Sequence, residues 1–176
     1  MVVTMSSDRQ SVKITETERA TVDGTSLTDQ IGIDSNEIEW RKQYTQFTDE
    51  DVQQLINIDD IFDEIAEGLV DDFYEHLQTH DETIAFLDSS SKPIQALKRD
   101  QRQYLTELGA GKYDQQYFDR RARIGKIHDM LDLGPKIYFG AYSVYYEGIM
   151  RGIAEDVTDR VQSGDVGGRD DGGAGA

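Results

Sequence analysis

The sequence contains no cysteine and only two prolines among its 176 residues. The absence of cysteine excludes disulfide bridges, thiolate catalysis and metal sites with cysteine ligands. No stretch approaches the roughly 18 apolar residues that a membrane-spanning helix needs, and the start of the chain lacks the apolar core of a signal peptide. We therefore expect a cytoplasmic protein with no membrane insertion.

Basic residues are also scarce. Eighteen lysines and arginines face 35 aspartates and glutamates, which gives a formal net charge of -17. Such a charge repels nucleic-acid phosphates and anionic lipid headgroups, so we expect no nucleic acid among the partners. The acidic residues are spread along the chain, which is typical of a surface adapted to high salt, where screening relieves their repulsion.

The two ends of the chain differ in composition from its middle. Residues 1–22 are polar and show no period, which predicts a disordered arm. Residues 162–176 are rich in glycine and aspartate, which predicts a disordered tail. The remaining residues, 23–161, are long enough for one domain with a core of its own.

The middle of the chain shows the apolar period of amphipathic helices and no strand pattern, which predicts an all-α fold. The strongest period covers residues 58–77, and another covers 94–108. Pro135 is predicted to open the last helix. Three polar residues are predicted to cap helix starts, namely Asp34, Thr48 and Asp114.

His128 lies on the inward face of the predicted helix that precedes Pro135, where it is accompanied by Ile124, Gly125 and Leu131. A single histidine is a weak signal for structural zinc, which needs about four protein ligands. A haem iron needs only one protein ligand, held in an apolar cleft between helices. The residues alone leave open both a haem ligand and a core histidine that binds a carbonyl.

The segment RARIGKIHDMLDLGPKIYFGAY, residues 121–142, resembles the proximal segment of globin-coupled sensors. Within that family it is most similar to the protoglobin-like sensor domain of haem-based aerotactic transducers, of haloarchaeal type, and the likeness covers roughly residues 25 to 155. Ten residues fill the family pattern around the histidine: Arg121, Arg123, Ile124, His128, Leu133, Pro135, Lys136, Tyr138, Gly140 and Ala141. The resemblance implies a globin-like helical sandwich with an extra N-terminal helix. It also implies haem b, with His128 as the proximal ligand of the iron.

The resemblance assigns roles to further residues. Tyr138 is expected to help to orient His128, and Tyr74 to donate a hydrogen bond to bound oxygen or another diatomic gas. Gly125 is expected to leave room for a flat ring. The other residues expected at the cofactor are Phe73, Leu97, Asp100, Ile124 and Leu131. For Tyr74, Tyr138 and Gly125 a plain packing role remains the alternative.

One departure from the family pattern bears directly on the site. The transducers commonly carry a threonine where this chain has Asp100, and a carboxylate over the haem resists burial unless it is paired or protonated. Asp100 therefore either turns toward Arg99, Arg102 or water, or the pocket treats oxygen differently. The sequence also does not determine which residues would pair with the haem propionates. Arg121, Arg123 and Lys126 are the basic groups nearest His128.

The expected function is a haem-containing, oxygen-binding sensor domain for aerotaxis-type signalling, and not an enzyme. The resemblance implies one more long helix after the helix that starts at Pro135, followed by a transmitter module, and we expect both to be missing. The domain would then act alone or through a separate transmitter protein, and a homodimer is expected to cover apolar faces. The alternatives are a haem-free helical interaction module, a degraded remnant, and a haem enzyme acting on peroxide or nitric oxide.

Overall fold

The computed structural model describes residues 13–164. Their helices are, in chain order, α1 (Glu16–Ala20), α2 (Gly24–Ile31), α3 (Ser35–Tyr44), α4 (Asp49–Asn57), α5 (Asp59–Leu77), α6 (Asp81–Ser89), α7 (Ile94–Gly109), α8 (Gln115–Met130) and α9 (Pro135–Ser163). These residues contain no β-strand, and one isolated parallel bridge joins Ile14 to Ser90. The predicted all-α fold is confirmed.

The helix starts follow from local hydrogen bonds that the sequence predicts. The side chains of Asp34, Thr48 and Asp114 each accept a hydrogen bond from a backbone N–H in the first turn of the following helix. Pro135 occupies the first turn of α9, where its missing N–H costs nothing. The period over 58–77 predicts α5 to within one residue.

The core forms where α5 packs against α7 and α9. Its buried residues are Phe62, Ala66, Leu69, Leu105 and Tyr145. Gly148 allows α9 to approach α5 closely, because a Cβ atom there would lie within 3.1 Å of three carbons of the Leu69 side chain. This crossing fixes the position of both helices above the cleft described below.

Helix α8, which carries His128, packs mainly on α2 rather than on the core helices. The contact is polar. The Asp119 carboxylate accepts hydrogen bonds from Thr28 Oγ1 at 2.6 Å and from Thr25 Oγ1 at 2.8 Å. Gly24 lies directly against the Asp119 carbonyl, which leaves no space for a Cβ atom. The fold therefore has two layers, α5–α7–α9 and α2–α8.

The N-terminal segment differs from the predicted disordered arm. Ile14 is buried, and its backbone N–H donates to the Ser89 carbonyl at 3.3 Å, while α1 buries Arg19. These contacts join residues far apart in the chain, so the polar local sequence did not reveal them. Residues 1–12 of the predicted arm lie outside the described residues.

At the other end, α9 continues through residue 163, two residues into the predicted tail, and residues 165–176 lie outside the described part. The helix after α9 that the resemblance implies has no counterpart within residues 13–164. In the same range, no helix is both long and apolar enough to cross a bilayer.

Candidate functional site

A cavity of about 230 Å³ opens among α5, α7, α8 and α9. Most of the residues predicted to bind a cofactor line it, namely Phe73, Tyr74, Leu97, Asp100, Ile124, His128, Leu131 and Tyr138. Gly125 lines an adjoining cavity of about 490 Å³, which also reaches Ile124, His128 and Tyr138. The structure thus brings the predicted residues together in one cleft, with His128 in the wall of both cavities.

The His128 imidazole is partly buried and touches the ring of Tyr138 edge-on, with 5.9 Å between the ring centroids. Burial lowers the pKa of His128, which favours the neutral imidazole that ligates metals. Just beyond it the helix ends, and the Leu133 N–H donates to the His128 carbonyl at 3.0 Å. The Gly-Pro turn that follows places Tyr138 next to the imidazole.

Tyr74 reaches the cavity from α5 and is 5% exposed. Its ring packs edge-on against Phe73, with 5.4 Å between the centroids. Burial, with a smaller contribution from the negative charge of Asp100, raises the pKa of the Tyr74 phenol well above its usual range. The hydroxyl therefore stays protonated at neutral pH and keeps its capacity to donate a hydrogen bond.

Tyr145 adds a second phenol to this region, from α9. Its ring packs on Phe73 with 4.7 Å between centroids. The hydroxyl is fully buried and makes no hydrogen bond of normal geometry within residues 13–164, although Gln101 is close enough to affect its pKa. Burial raises the pKa of Tyr145. Tyr145 was not among the predicted site residues, because an apolar helical face indicates burial but no role at a site.

Tyr138 belongs to a chain of tyrosine hydroxyls. Its hydroxyl lies 2.6 Å from that of Tyr142, which in turn lies 3.2 Å from that of Tyr104 on α7. The guanidinium of Arg121 stacks 3.9 Å from the Tyr104 ring centroid. Tyr138 and Tyr142 are four residues apart on α9. This spacing places two side chains on the same face of a helix, so the sequence could have predicted their contact.

Asp100 lies in the cavity lining with its carboxylate largely exposed to solvent. Its side chain is 61% exposed and forms an ion pair with Lys92. The partner is therefore neither Arg99 nor Arg102, and the pairing keeps the carboxylate at the rim of the cavity. The predicted obstacle to cofactor binding, a buried unpaired carboxylate, does not arise.

Two of the candidate propionate partners are already paired. Arg121 contacts Glu107 at 2.9 Å, and Lys126 contacts Asp129 at 2.7 Å. Arg123 lines the cavity and has no carboxylate partner among the described residues. A second cavity-lining arginine, Arg19, was missed because it lies in the segment predicted to be disordered.

The chemistry of this cleft suits a large, flat, mostly apolar group that carries one metal ion. A neutral imidazole is available as a single ligand, and aliphatic and aromatic side chains form most of the walls. Gly125, one turn before His128, leaves open space in place of a side chain. The buried, unpartnered hydroxyl of Tyr145 adds a donor inside the cleft.

Comparison with known proteins supports this interpretation. The protoglobin family matches residues 34–164 of the chain. A curated relative, the heme-based aerotactic transducer HemAT of Halobacterium salinarum, is 42% identical over 153 residues, which is 87% of this chain. The match covers 31% of that relative's own length, so the chain corresponds to about a third of it. No solved structure matches the chain.

Proposed function

The chain belongs to the protoglobin family, and from this premise we propose that it is a haem b-binding sensor domain that binds oxygen for aerotaxis-type signalling. The observation that carries the proposal is the position of His128, a neutral imidazole in the wall of an apolar cleft lined by the residues that the resemblance assigns. The similarity to an aerotactic transducer supports a sensing role rather than an enzymatic one.

In this proposal His128 is the protein ligand of the haem iron. Haem, when bound, supplies an iron atom with a free position for a diatomic gas. The Tyr138 ring fixes one face of the imidazole, and its hydroxyl is held by Tyr142 rather than left free to move. Phe73, Leu97 and Leu131 exclude water from the cleft, which is the environment that gas binding requires.

Tyr74 is the proposed donor to the gas. Its raised pKa keeps the proton on the phenol, and its burial removes competing water. Tyr145 lies close enough to Tyr74 for the Tyr74 phenol to contribute to its raised pKa, and the buried Tyr145 hydroxyl is a second donor in the same region. Asp100, paired with Lys92 at the rim, takes no direct part.

The first test is an absorption spectrum of the purified chain reconstituted with haemin in molar salt, reduced without oxygen and then exposed to it. We expect a stoichiometric Soret band and a reversible spectral change with oxygen. His128→Ala should abolish the ligand-dependent spectrum, whereas His76→Ala, an exposed histidine on α5, should leave it unchanged. Retention of the native spectrum in His128→Ala would refute the ligand assignment.

The second test concerns the donor. Removal of one hydrogen bond to a partly charged ligand is worth roughly a factor of ten or more in equilibrium. Tyr74→Phe should therefore raise the oxygen dissociation rate about tenfold, measured by stopped flow. Tyr44→Phe, an exposed tyrosine on α3 that does not line the cavity, is the matched control. An unchanged rate in Tyr74→Phe would assign the donor role elsewhere, with Tyr145 as the next residue to replace.

We also propose that the domain forms a homodimer through α9. The helix exposes a row of apolar side chains on the side opposite to the core, at steps of seven and four residues: Phe139, Tyr146, Met150, Val157 and Val161. Each is more than half exposed, and such a continuous row is typical of a helix that pairs with another. The second copy supplies a matching row by symmetry.

Sedimentation in molar salt tests the dimer. Met150→Glu places a charge in the row and should give a monomer, whereas Gln162→Glu adds the same charge elsewhere on α9 and should not. A monomeric wild-type chain would refute the dimer without affecting the haem assignment. Because the matched relative extends well beyond this domain, the proposed output is a shape change passed to a transmitter, in the same protein or in a separate one.

A further inference from the structure

Within residues 13–164, Arg19 is a buried cation with no carboxylate beside it. The residue is 7% exposed, and in this range its side chain makes one hydrogen bond, from Nη2 to Ser90 Oγ at 2.8 Å. Its Nε is buried without a partner. No carboxylate lies within ion-pair distance of its guanidinium in the described residues, although the chain has 35 acidic residues.

A buried charge of this kind is costly unless a counter-ion is present. Arg19 lines the same cavity as His128 and Tyr74, so an anion bound in the cavity could reach it. Arg123, a second arginine in the lining, lies directly beside it. Its Nη2 donates to the Arg19 carbonyl at 3.1 Å and its Nε to the Val22 carbonyl at 3.2 Å.

We propose that Arg19, supported by Arg123, forms a cationic subsite that binds the propionate carboxylates of haem. This inference rests on the proposed function. It adds that the segment before residue 34, outside the part that matches the family, completes the pocket. Guanidinium groups suit this task because they bind carboxylates through paired hydrogen bonds and never lose their charge.

The other basic groups near the cleft are less suited to the role. Arg121 is held by Glu107 and by stacking on Tyr104, and Lys126 is held by Asp129. Arg19 also differs from these groups in its burial. In molar salt, exposed ion pairs are screened over about 3 Å, whereas a buried guanidinium keeps its interaction with a carboxylate.

The test compares two forms of the cofactor. Haemin carries two propionates, and its dimethyl ester has the same ring and iron without the carboxylate charges. Arg19→Met should raise the dissociation rate of haemin, measured by transfer to an acceptor globin, by about tenfold or more. The dimethyl ester should dissociate at the same rate from Arg19→Met and from the wild type. Arg19→Lys keeps the charge, so its haemin dissociation rate should lie between those of the wild type and Arg19→Met.

The matched control is Arg41→Met, an exposed arginine on α3 that pairs with Glu37 and does not line the cavity. It should leave haemin dissociation unchanged. Arg123→Met should raise the haemin dissociation rate less than Arg19→Met does. The difference between the two variants should grow as salt rises, because Arg123 is the more exposed residue and its interaction is screened more strongly.

The unfolding midpoint of the haem-free chain separates a binding role from a folding role. Arg19→Met should leave that midpoint unchanged or raise it, because it removes an unbalanced buried charge. If Arg19→Met fails to fold, Arg19→Lys takes its place, and it should raise the dissociation rate of haemin while leaving that of the dimethyl ester unchanged. Equal release of the two forms, or equal effects of Arg19→Met on both, would overturn the subsite. A wild type that binds neither form would refute the proposed function instead.

Discussion

The crossing of α5 and α9 gives a quantitative prediction about two glycines. Gly68 and Gly148 both lie inside helices, so replacing either by alanine gains about 1 kcal/mol of helix propensity. At Gly68 a Cβ atom meets nothing within 4 Å. At Gly148 it would overlap the side chain of Leu69, which is 5% exposed and has no room to withdraw. Overpacking of this kind costs typically about 1–3 kcal/mol.

The difference between the two variants isolates the steric contribution, because the propensity gain is common to both. Gly68→Ala should raise the free energy of unfolding by up to about 1 kcal/mol. Gly148→Ala should be less stable than Gly68→Ala by about 1–3 kcal/mol. For a chain of this length, each kcal/mol corresponds to about 2–4 °C in the unfolding midpoint. Circular dichroism of the haem-free chain in molar salt measures both.

A double replacement tests the cause. If Leu69 is the obstacle, Leu69→Ala combined with Gly148→Ala should cost less than the sum of the two single changes, because the new methyl group fills part of the space that leucine leaves. Additive costs would mean that the side chains of residues 69 and 148 do not compete for the same volume. Equal midpoints for Gly68→Ala and Gly148→Ala would refute the close approach of α5 and α9 altogether.

Three further predictions concern the cleft and its supporting layer. Tyr145→Phe should leave the haem-free chain as stable as the wild type or more stable, because it removes a buried hydroxyl that lacks a good partner; a clear loss of stability would show that Gln101 satisfies it. Hydrogen bonds from Thr28 and Gln115 lower the pKa of Asp119 in the folded protein. The ionised carboxylate therefore stabilises the fold above the unfolded pKa of about 4, and this stabilisation is lost as the pH falls through the lower folded pKa. The stability gap between wild type and Asp119→Asn in acid titrations should therefore shrink below about pH 4, and a constant gap would contradict the role of the charge. In hydrogen exchange, the amides of α8 in the haem-free chain should exchange faster than those of α5, and addition of haemin should slow α8 selectively; uniform protection would contradict the two-layer description.

The fold was predictable where burial follows an apolar period, and α5 is the clear case. Helix α2 was not predicted, because its buried positions are Gly24 and Thr28 rather than large apolar residues. Its place in the fold depends on polar contacts with Asp119, about ninety residues later in the chain. A period of hydrophobicity carries no information about such a contact, so no helix was predicted over residues 24–31, although they fall within the predicted domain.

The candidate site was predictable to the extent that it lies in one continuous motif. His128, Ile124 and Tyr138 fall within 15 residues of sequence, and the structure keeps them together in the cleft. Arg19 and Asp100 were not settled by the sequence. The orientation of Asp100 depends on Lys92, which is brought near by the turn at Pro93, and the burial of Arg19 depends on its contact with Ser90.

The two-layer arrangement explains why a ligand in this cleft would affect distant parts of the chain. Helix α8 buries no residue completely, and it is attached chiefly to α2. Besides the direct contacts of Arg121 with Glu107 and Tyr104 on α7, it meets the core across the cleft, through the rings of His128 and Tyr138 and onward to Tyr142 and Tyr104. A group bound between the layers would therefore connect α8 to the core more firmly than the protein does by itself. Any displacement of His128 would reach α7 through the tyrosine hydroxyls and would reach the N-terminal segment through α2. The weak packing of α8 would thus let a bound group shift this helix relative to the core.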